Sequence, residues 1–402
     1  MSEGVWLIGA DMIKIGRYSD QDIVDFATSA ASGAFSDCGM SMADMQVLAV
    51  GSVNEAPNML AQRILRNLGQ TGLPAYNVVN ACATGATAVK TVITNIKAGE
   101  ADIGLAIGAE QMGKSGLIGK AARAGGDRKK VYEPKGRYGH VAGIEGVLGT
   151  NLMPGVFAHA GMEYIRANDR VGVEHFHKIA VKNHAHSALN PYAQYRKAFT
   201  LEEVLAAEMI SYPNTALMCS PTGDGAAAAV IVSDAKLRTL DHDVRRRAVK
   251  ISASVITSDP YVDGGQVQAD INTLTRNAAD QAYERAGLGP EDLDLVELHD
   301  CFATAELVHY DNLRLCEPGG AGAFIDSGAP YRDGKTPVNV SGGLISKGHP
   351  LGATGVANIF EIAQHLRGEA GDRQVHGARV GMAHVIGLGS ACGIHILEKP
   401  AS

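Results

Sequence analysis

Aromatic side chains are scarce: they make up 5% of the 402 residues, with a single tryptophan. The interior is therefore filled by aliphatic side chains, and hydrophobic residues reach 46%. Basic charge is also short, with 36 Lys and Arg against 43 Asp and Glu, a net charge of -7. That excludes a nucleic-acid partner held by overall charge and leaves only a local basic loop to bind an anion. The six cysteines (Cys38, Cys82, Cys219, Cys301, Cys316, Cys392) have no Cys-x-x-Cys spacing. This argues against a structural zinc site and against a disulfide framework, and it fits a reduced cytoplasm. The apolar stretch near the N-terminus is too short for a membrane span or a signal peptide. The final residues are not a Ser-Lys-Leu peroxisomal address.

The stretch that organises the rest is Asn77 to Glu100. A short strand-type run ends near Val79, Cys82 follows, and a helical pattern begins at once. Val89, Val92, Ile93 and Ile96 form one apolar stripe at helical spacing, and Gly99 stands where a C-terminal glycine belongs. Ala81, Ala83, Thr84, Gly85 and Ala86 leave nothing bulky beside the thiol. A cysteine at a helix N-terminus meets unpaired N–H groups and the positive end of the dipole, a setting that favours thiolate. The same residue also reads as a buried structural cysteine, a common place for a free thiol.

At 402 residues the chain is too long for one simple core, which points to two domains or a duplicated one. The first half reads as strand Val5–Ile13, helix Asp20–Cys38 with Ser19 as N-cap, strand Met45–Val53 and helix Met59–Leu68. The Cys82 unit and strand Ala101–Met112 follow. This β-α alternation predicts a mostly parallel sheet covered on both faces. From Gly113 to Pro213 the pattern is lost, too long a stretch for a plain loop, so an insertion or lid is expected. It begins with a Lys/Arg-rich segment, Lys114 to Arg137, and carries His175, His177, His184 and His186. Their spacing matches no standard metal site, and a solvated or interface surface fits better. Strand Gly223–Asp234 closes this half, and Arg238 to Arg247 is a charged connector.

The order then repeats. Strand Ala248–Thr257, helix Asp270–Ala286, strand Leu293–Phe302, helix Ala303–Leu315, strand Thr336–Gly343, helix Gly355–Arg367 and a hairpin over Ala378–Lys399 are expected. The chain thus divides into residues 1–245, with the insertion at about 113–213, and residues 246–402. Repeated element order indicates duplication. In that register Cys82 and the Ser341–His349 loop both follow a third strand. Facing halves would bring them together at the C-terminal strand ends, where ligands bind in such sheets.

Reactive side chains sit at these junctions: Cys82, then His299-Asp300-Cys301-Phe302, then His349 in SGGLISKGHPLGATG. The glycine-rich turn GLGSACG closes the series. A cysteine nucleophile needs a base, and His349 is a candidate. Acyl chemistry needs oxyanion donors, for which His299 and glycine amides are candidates. Cys301 is a candidate for proton exchange. Taken singly, His299 and His349 also read as strand-end or turn residues, and Cys301 as core.

The motifs NACATGA, HDCF and SGGLISKGHPLGATG, with KNHAHSALNPYAQYRK and SPTGDGAAAAVIVSD, resemble the thiolase superfamily over the whole chain. The nearest resemblance is to sterol-carrier-protein-type thiolases and bacterial and archaeal acetyl-CoA acetyltransferases. It implies duplicated β-α-β-α-β-α-β-β halves in a layered α-β-α-β-α sandwich with an inserted loop domain. It implies an acyl-CoA C-acyltransferase, in which Cys82 carries the acyl group and His349 activates it. His299 would share an oxyanion hole with His349, and the amides of Cys82 and Gly387 would form a second. Cys301 would move the proton, in place of the C-terminal cysteine of other thiolases, because Cys392 is out of register. Ser220 would contact the pantetheine of CoA. No metal or redox cofactor is implied, since CoA is a substrate. Homodimers or homotetramers are implied, and some relatives work with a small OB-type partner protein. A non-catalytic or partner-dependent acyl-CoA-binding protein is the alternative. A decarboxylating 3-oxoacyl synthase is disfavoured by Cys301, and a steroid side-chain aldolase by Cys82.

Overall fold

Strands buried on both faces read as continuous apolar runs, and this chain has several. The computed structural model describes residues 4–115, 152–260, 271–388 and 390–400. Its strands are β1 (Val5–Met12), β2 (Val47–Gly51), β3 (Ala75–Val78), β4 (Ile103–Gln111), β5 (Met209–Ser211), β6 (Asn214–Thr215), β7 (Asp224–Ser233), β8 (Val249–Thr257), β9 (Leu295–Glu297), β10 (Val380–Gly387) and β11 (Ala391–Glu398). Nine of them form one hydrogen-bonded series in the order β3-β2-β4-β7-β1-β8-β11-β10-β9, and β5-β6 is a separate hairpin.

The duplication is visible in that order. The first half runs third, second, fourth, fifth, first strand. The second half repeats it, with its third strand reduced to a single bridge between Val338 and Val296. The expected strand Thr336–Gly343 is therefore corrected. Asn339 adopts a left-handed φ of 53° and its side chain accepts from the Leu298 amide, which bends the chain out of the sheet. The expected strand Leu293–Phe302 shortens to β9, so His299 to Phe302 leave the sheet as a loop. Mixed pairing also replaces the mostly parallel sheet: β2–β3, β2–β4 and β9–β10 are parallel, the other pairs antiparallel.

Helix α1 (Ile23–Cys38) is capped by Asp22, not Ser19. Asp22 accepts from the Val24 amide while Asp25 accepts from the Asp22 amide, a reciprocal box that satisfies the first turn. Helices α2 (Leu60–Leu68), α3 (Thr84–Lys97), α4 (Leu152–Ala167), α5 (Val173–Ser187), α6 (Ile271–Ala286), α7 (Ala303–Asn312) and α8 (Thr354–Arg367) complete the main set. In β7, Ala226, Ala228, Val230 and Val232 face α1 and α2, while Ala227, Ala229 and Ile231 join the cluster around α3 and α8. The two central helices contact strands of both halves. They cross on glycine: a Cβ at Gly85 would lie 2.9 Å from the Gly355 nitrogen, and one at Gly355 would lie 2.3 Å from the Ala86 nitrogen. Only bare backbone permits that approach. It sets the N-termini of α3 and α8 side by side, each just past a reactive turn.

The inserted region is ordered where it is described. It holds α4, α5, the short helix Leu201–Ala206 and the β5–β6 hairpin. Most of the Lys/Arg-rich segment lies outside the described residues. The insertion is bound to the second half by α4 and α5, which contact α7.

Candidate active site

The Cys82 turn is built by hydrogen bonds around Thr84. Its Oγ1 accepts from the Asn80 amide (2.7 Å) and donates to the Ala81 carbonyl (2.6 Å). Ala81 is held at φ 47°, a left-handed conformation costly for a residue with a Cβ. The strain lifts Cys82 out of line between β3 and α3. The Cys82 and Leu388 amides both face the sulfur. Gly387 packs its bare Cα against the turn, where a Cβ would lie 2.5 Å from the Asn80 carbonyl oxygen.

The Cys82 thiol is harder to ionise than a free cysteine, contrary to the expectation from a helix N-terminus. Burial pushes the Cys82 thiol up to about 12, and the Glu110 charge adds to the rise, against the two amides. The helix itself starts only at Thr84. At rest Cys82 is a thiol, and a thiolate there requires a base to take its proton.

That base is at hand. Sγ of Cys82 and one ring nitrogen each of His299 and His349 lie within 4.8 Å of one another. Thr354 Oγ1 donates to the Pro350 carbonyl (3.0 Å) and so accepts from His349 Nδ1–H (2.7 Å). This assigns the lone pair of His349 to Nε2. The Ile386 amide donates to His299 Nδ1 (3.3 Å), so His299 carries its proton on Nε2, 3.3 Å from His349 Nε2. One imidazole accepts into the site and the other donates. Burial first, then the Lys347 ammonium, lowers His349 to about 3, and burial with neighbouring histidines holds His299 well below its ordinary value. Both rings are neutral at physiological pH. As a metal set the three residues fit poorly. A ligating histidine turns its other N–H toward an acceptor, and His299 Nδ1 faces a donor.

Cys301 is buried in the loop after β9. Burial raises its thiol well above the ordinary value, with the Cys82, Asp300 and Cys219 charges adding to the rise. Its carbonyl accepts from the Ser220 amide (2.9 Å), and Cys219 pairs with Phe302, so Ser220 comes to the site edge. Asp300 fastens this loop to the His349 segment, accepting from the amides of Leu344 (2.7 Å) and Ile345 (3.4 Å) and from Asn183 Nδ2 (2.8 Å). Phe157 of α4 stands edge-on to His299, ring centroids 6.3 Å apart, and packs on Phe302 at 5.3 Å. Cys392 is buried in β11, in the same apolar cluster as Cys301, with a hydrogen bond to Thr275.

Three of the four insertion histidines are buried, not solvated. His184 bonds the Leu217 carbonyl and Ser346 Oγ, and His186 bonds the Asn339 carbonyl and the Arg332 amide. His175 faces Asp326 at 3.4 Å. His184, through Ser346, and His186, through Asn339, fix the insertion to the segment that leads to His349. His177 is half-buried.

Two structural contributors were missed. Glu110 sits inside an apolar strand run, and Leu388 follows a glycine in a turn; neither carries a motif signal. Thr354 was overlooked as well, although its place five residues after His349 at a helix start is a usable cue.

Comparisons with known proteins identify the family. The thiolase N-terminal domain model matches residues 5–204, and the thiolase C-terminal domain-like model matches residues 266–399. The chain belongs to the thiolase family. Sterol carrier protein 2 of Bos taurus is 37% identical over 393 residues, covering 96% of this chain and 70% of that protein. The acetyl-CoA acetyltransferase of Methanothermobacter thermautotrophicus is 32% identical over 401 residues, covering 98% of this chain and 99% of that one. Among solved structures, the Ltp2-ChsH2(DUF35) aldolase superposes with a TM-score of 0.81 at 21% identity, covering 98% of each chain. That last likeness concerns the fold alone. As a thiolase-family acyltransferase, the chain has its reactive residues on the turns that the duplicated halves bring together.

The buried histidines make a stability prediction for this thiolase. His186, His309 and His349 are lowered to about 3, His365 and His395 to about 4, and His299 and His384 well below 6.5, burial being the first cause each time. Below about pH 6.5 the unfolded chain binds protons that the native state refuses. Stability is therefore fully present above that pH and lost as pH falls toward the folded values. Each such histidine costs about 1.4 kcal/mol per pH unit. Melting temperature should hold between about pH 6.5 and 8 and fall steeply by about pH 5. Thermal melts across this range check it; an unchanged melting temperature at the acid end would refute neutral burial of these rings.

Proposed function

We propose that this chain catalyses reversible thiolytic cleavage of a 3-oxoacyl-CoA by CoA, and the reverse condensation, through an acyl-Cys82 intermediate. The observation that carries the proposal is the Cys82–His349–His299 cluster, with an acceptor nitrogen on His349 and a donor N–H on His299. His349 Nε2 takes the Cys82 proton, and the thiolate attacks the 3-oxo carbon. The resulting oxyanion is met by His299 Nε2–H and by the new Nε2–H of His349. Collapse breaks the C–C bond, leaving the acyl group on Cys82 and an acetyl-CoA enolate. Cys301 gives its proton to that enolate carbon. The amides of Cys82 and Leu388 are placed to receive the second thioester oxygen. The Cys301 thiolate then recovers a proton from the His349 imidazolium. CoA enters past Ser220 and gives its thiol proton to His349 as its sulfur bonds the acyl carbon, and the departing Cys82 thiolate takes that proton back from His349. No metal or redox group takes part in this sequence.

The same reading makes the chain a homo-oligomer, because edge strand β3 presents Tyr76 and the adjoining Val79 to solvent beside Met59. It also admits a small OB-type partner protein, since the solved aldolase assembles with a DUF35 chain. A cytoplasmic setting suits six free cysteines, and among the described residues no helix is long and apolar enough to cross a membrane.

Steady-state kinetics test the proposal. Acetoacetyl-CoA thiolysis at several CoA concentrations should give parallel double-reciprocal lines, the mark of a covalent ping-pong route. Intersecting lines would contradict an acyl-enzyme.

A further inference from the structure

We propose that Glu110 is a positioning residue of this site, the staple that holds the His349 turn against the Cys82 turn; this rests on the acyl-transfer reading above. Glu110 lies near the end of β4 and is fully buried. Its carboxylate meets only donors. Oε1 accepts from Ser52 Oγ and the Asn54 amide, each at 3.1 Å, and Oε2 accepts from the amides of Val53 (2.7 Å) and Gly352 (3.1 Å). Ser52 to Asn54 follow β2 in the first half, whereas Gly352 belongs to the His349 turn of the second. One side chain thus joins the two halves where their reactive turns meet. Three of the four partners are backbone amides, which can only donate, so the surroundings favour the anion, although burial works against it.

The docking of Gly352 gives a second, independent observation. A Cβ there would lie 2.5 Å from the Ala109 carbonyl oxygen and 2.8 Å from that of Gly51. In the other direction, a Cβ on Gly108 would lie 2.3 Å, and one on Gly85 2.7 Å, from the Gly352 carbonyl oxygen. The turn is pressed onto bare backbone from β2, β4 and α3. Close packing fixes how near it comes, and the Glu110–Gly352 bond supplies direction. The Glu110 charge also reaches Cys82, where it favours the thiol over the thiolate.

The test uses the full chain with Glu110→Gln and Glu110→Asp. Alkylation of Cys82 by iodoacetamide is followed against pH without acyl-CoA, and acylation of Cys82 by acetoacetyl-CoA is followed by intact mass. Glu110→Gln should move the alkylation profile to lower pH and slow acylation by about 10- to 100-fold, the cost of a small misplacement. Glu110→Asp keeps the charge but falls short of Gly352. It should slow acylation with the alkylation profile close to wild type. A folded Glu110→Gln protein with wild-type acylation would overturn the proposal, whatever its alkylation profile. If Glu110→Gln does not accumulate folded, wild-type acylation in Glu110→Asp overturns it. If the wild type itself is never acylated, the reaction reading fails, and unchanged amide-exchange protection of Gly352 in Glu110→Asp would then overturn the staple.

Discussion

Cys82→Ala is expected to lower thiolysis at least about 10³-fold, since loss of a nucleophile removes the whole covalent route. The fold should survive. Cys82 is half-buried among Ala81, Ala83 and Ala86, and the turn is held by Thr84, not by the thiol. Melting temperature should stay close to wild type. Cys82→Ser should rescue little. The pocket already pushes a thiol up to about 12, so an alcohol there is still harder to ionise. Steady-state thiolysis beside a thermal melt checks both variants, and a folded Cys82→Ala protein retaining a tenth of the activity would contradict the assignment.

Cys301→Ala is expected to divide the reaction. In the proposed reaction Cys301 moves the proton of the acetyl-CoA methyl carbon, and burial, which raises its pKa, keeps that proton on the thiol at rest. Acyl exchange between acyl-CoA and labelled CoA needs only Cys82 and the histidines, so it should stay within a few-fold of wild type. Deuterium exchange at the acetyl-CoA methyl group should fall by about 10²- to 10⁴-fold, the usual span for a general acid–base group. If both half-reactions fall together, Cys301 is acting through the core it shares with Phe302 and Val296 and not as the proton carrier.

What was legible in the sequence was mostly local. The Cys82 turn announced itself because small residues separate a strand run from a helical stripe, and that pattern is written within Asn77 to Glu100. The duplication showed in the order of elements. Failures came where distant segments decide. A helix N-terminus next to Cys82 predicted an acidic thiol, but burial and Glu110, from another strand, reverse the sign. The Leu388 amide that faces the Cys82 sulfur carries no motif signal, because the β10–β11 turn decides which amide arrives there. Thr336–Gly343 looked like a strand by composition, yet Asn339 turns it away after one bridge. The tautomers of His299 and His349 follow from Ile386 and Thr354, and the Ile386 contact spans 87 residues of sequence. Insertion histidines looked solvated because their partners, Ser346, Asn339 and Arg332, lie in the other half.

The most direct test of the central claim, that Cys82 carries the acyl group, is intact-protein mass spectrometry after mixing with acetoacetyl-CoA in the absence of free CoA. The account predicts an added acetyl mass on the wild type, mapped to the Cys82 peptide, absent from Cys82→Ala and discharged by CoA. No adduct on the wild type while acetoacetyl-CoA is being cleaved, or an adduct that persists in Cys82→Ala, would contradict it.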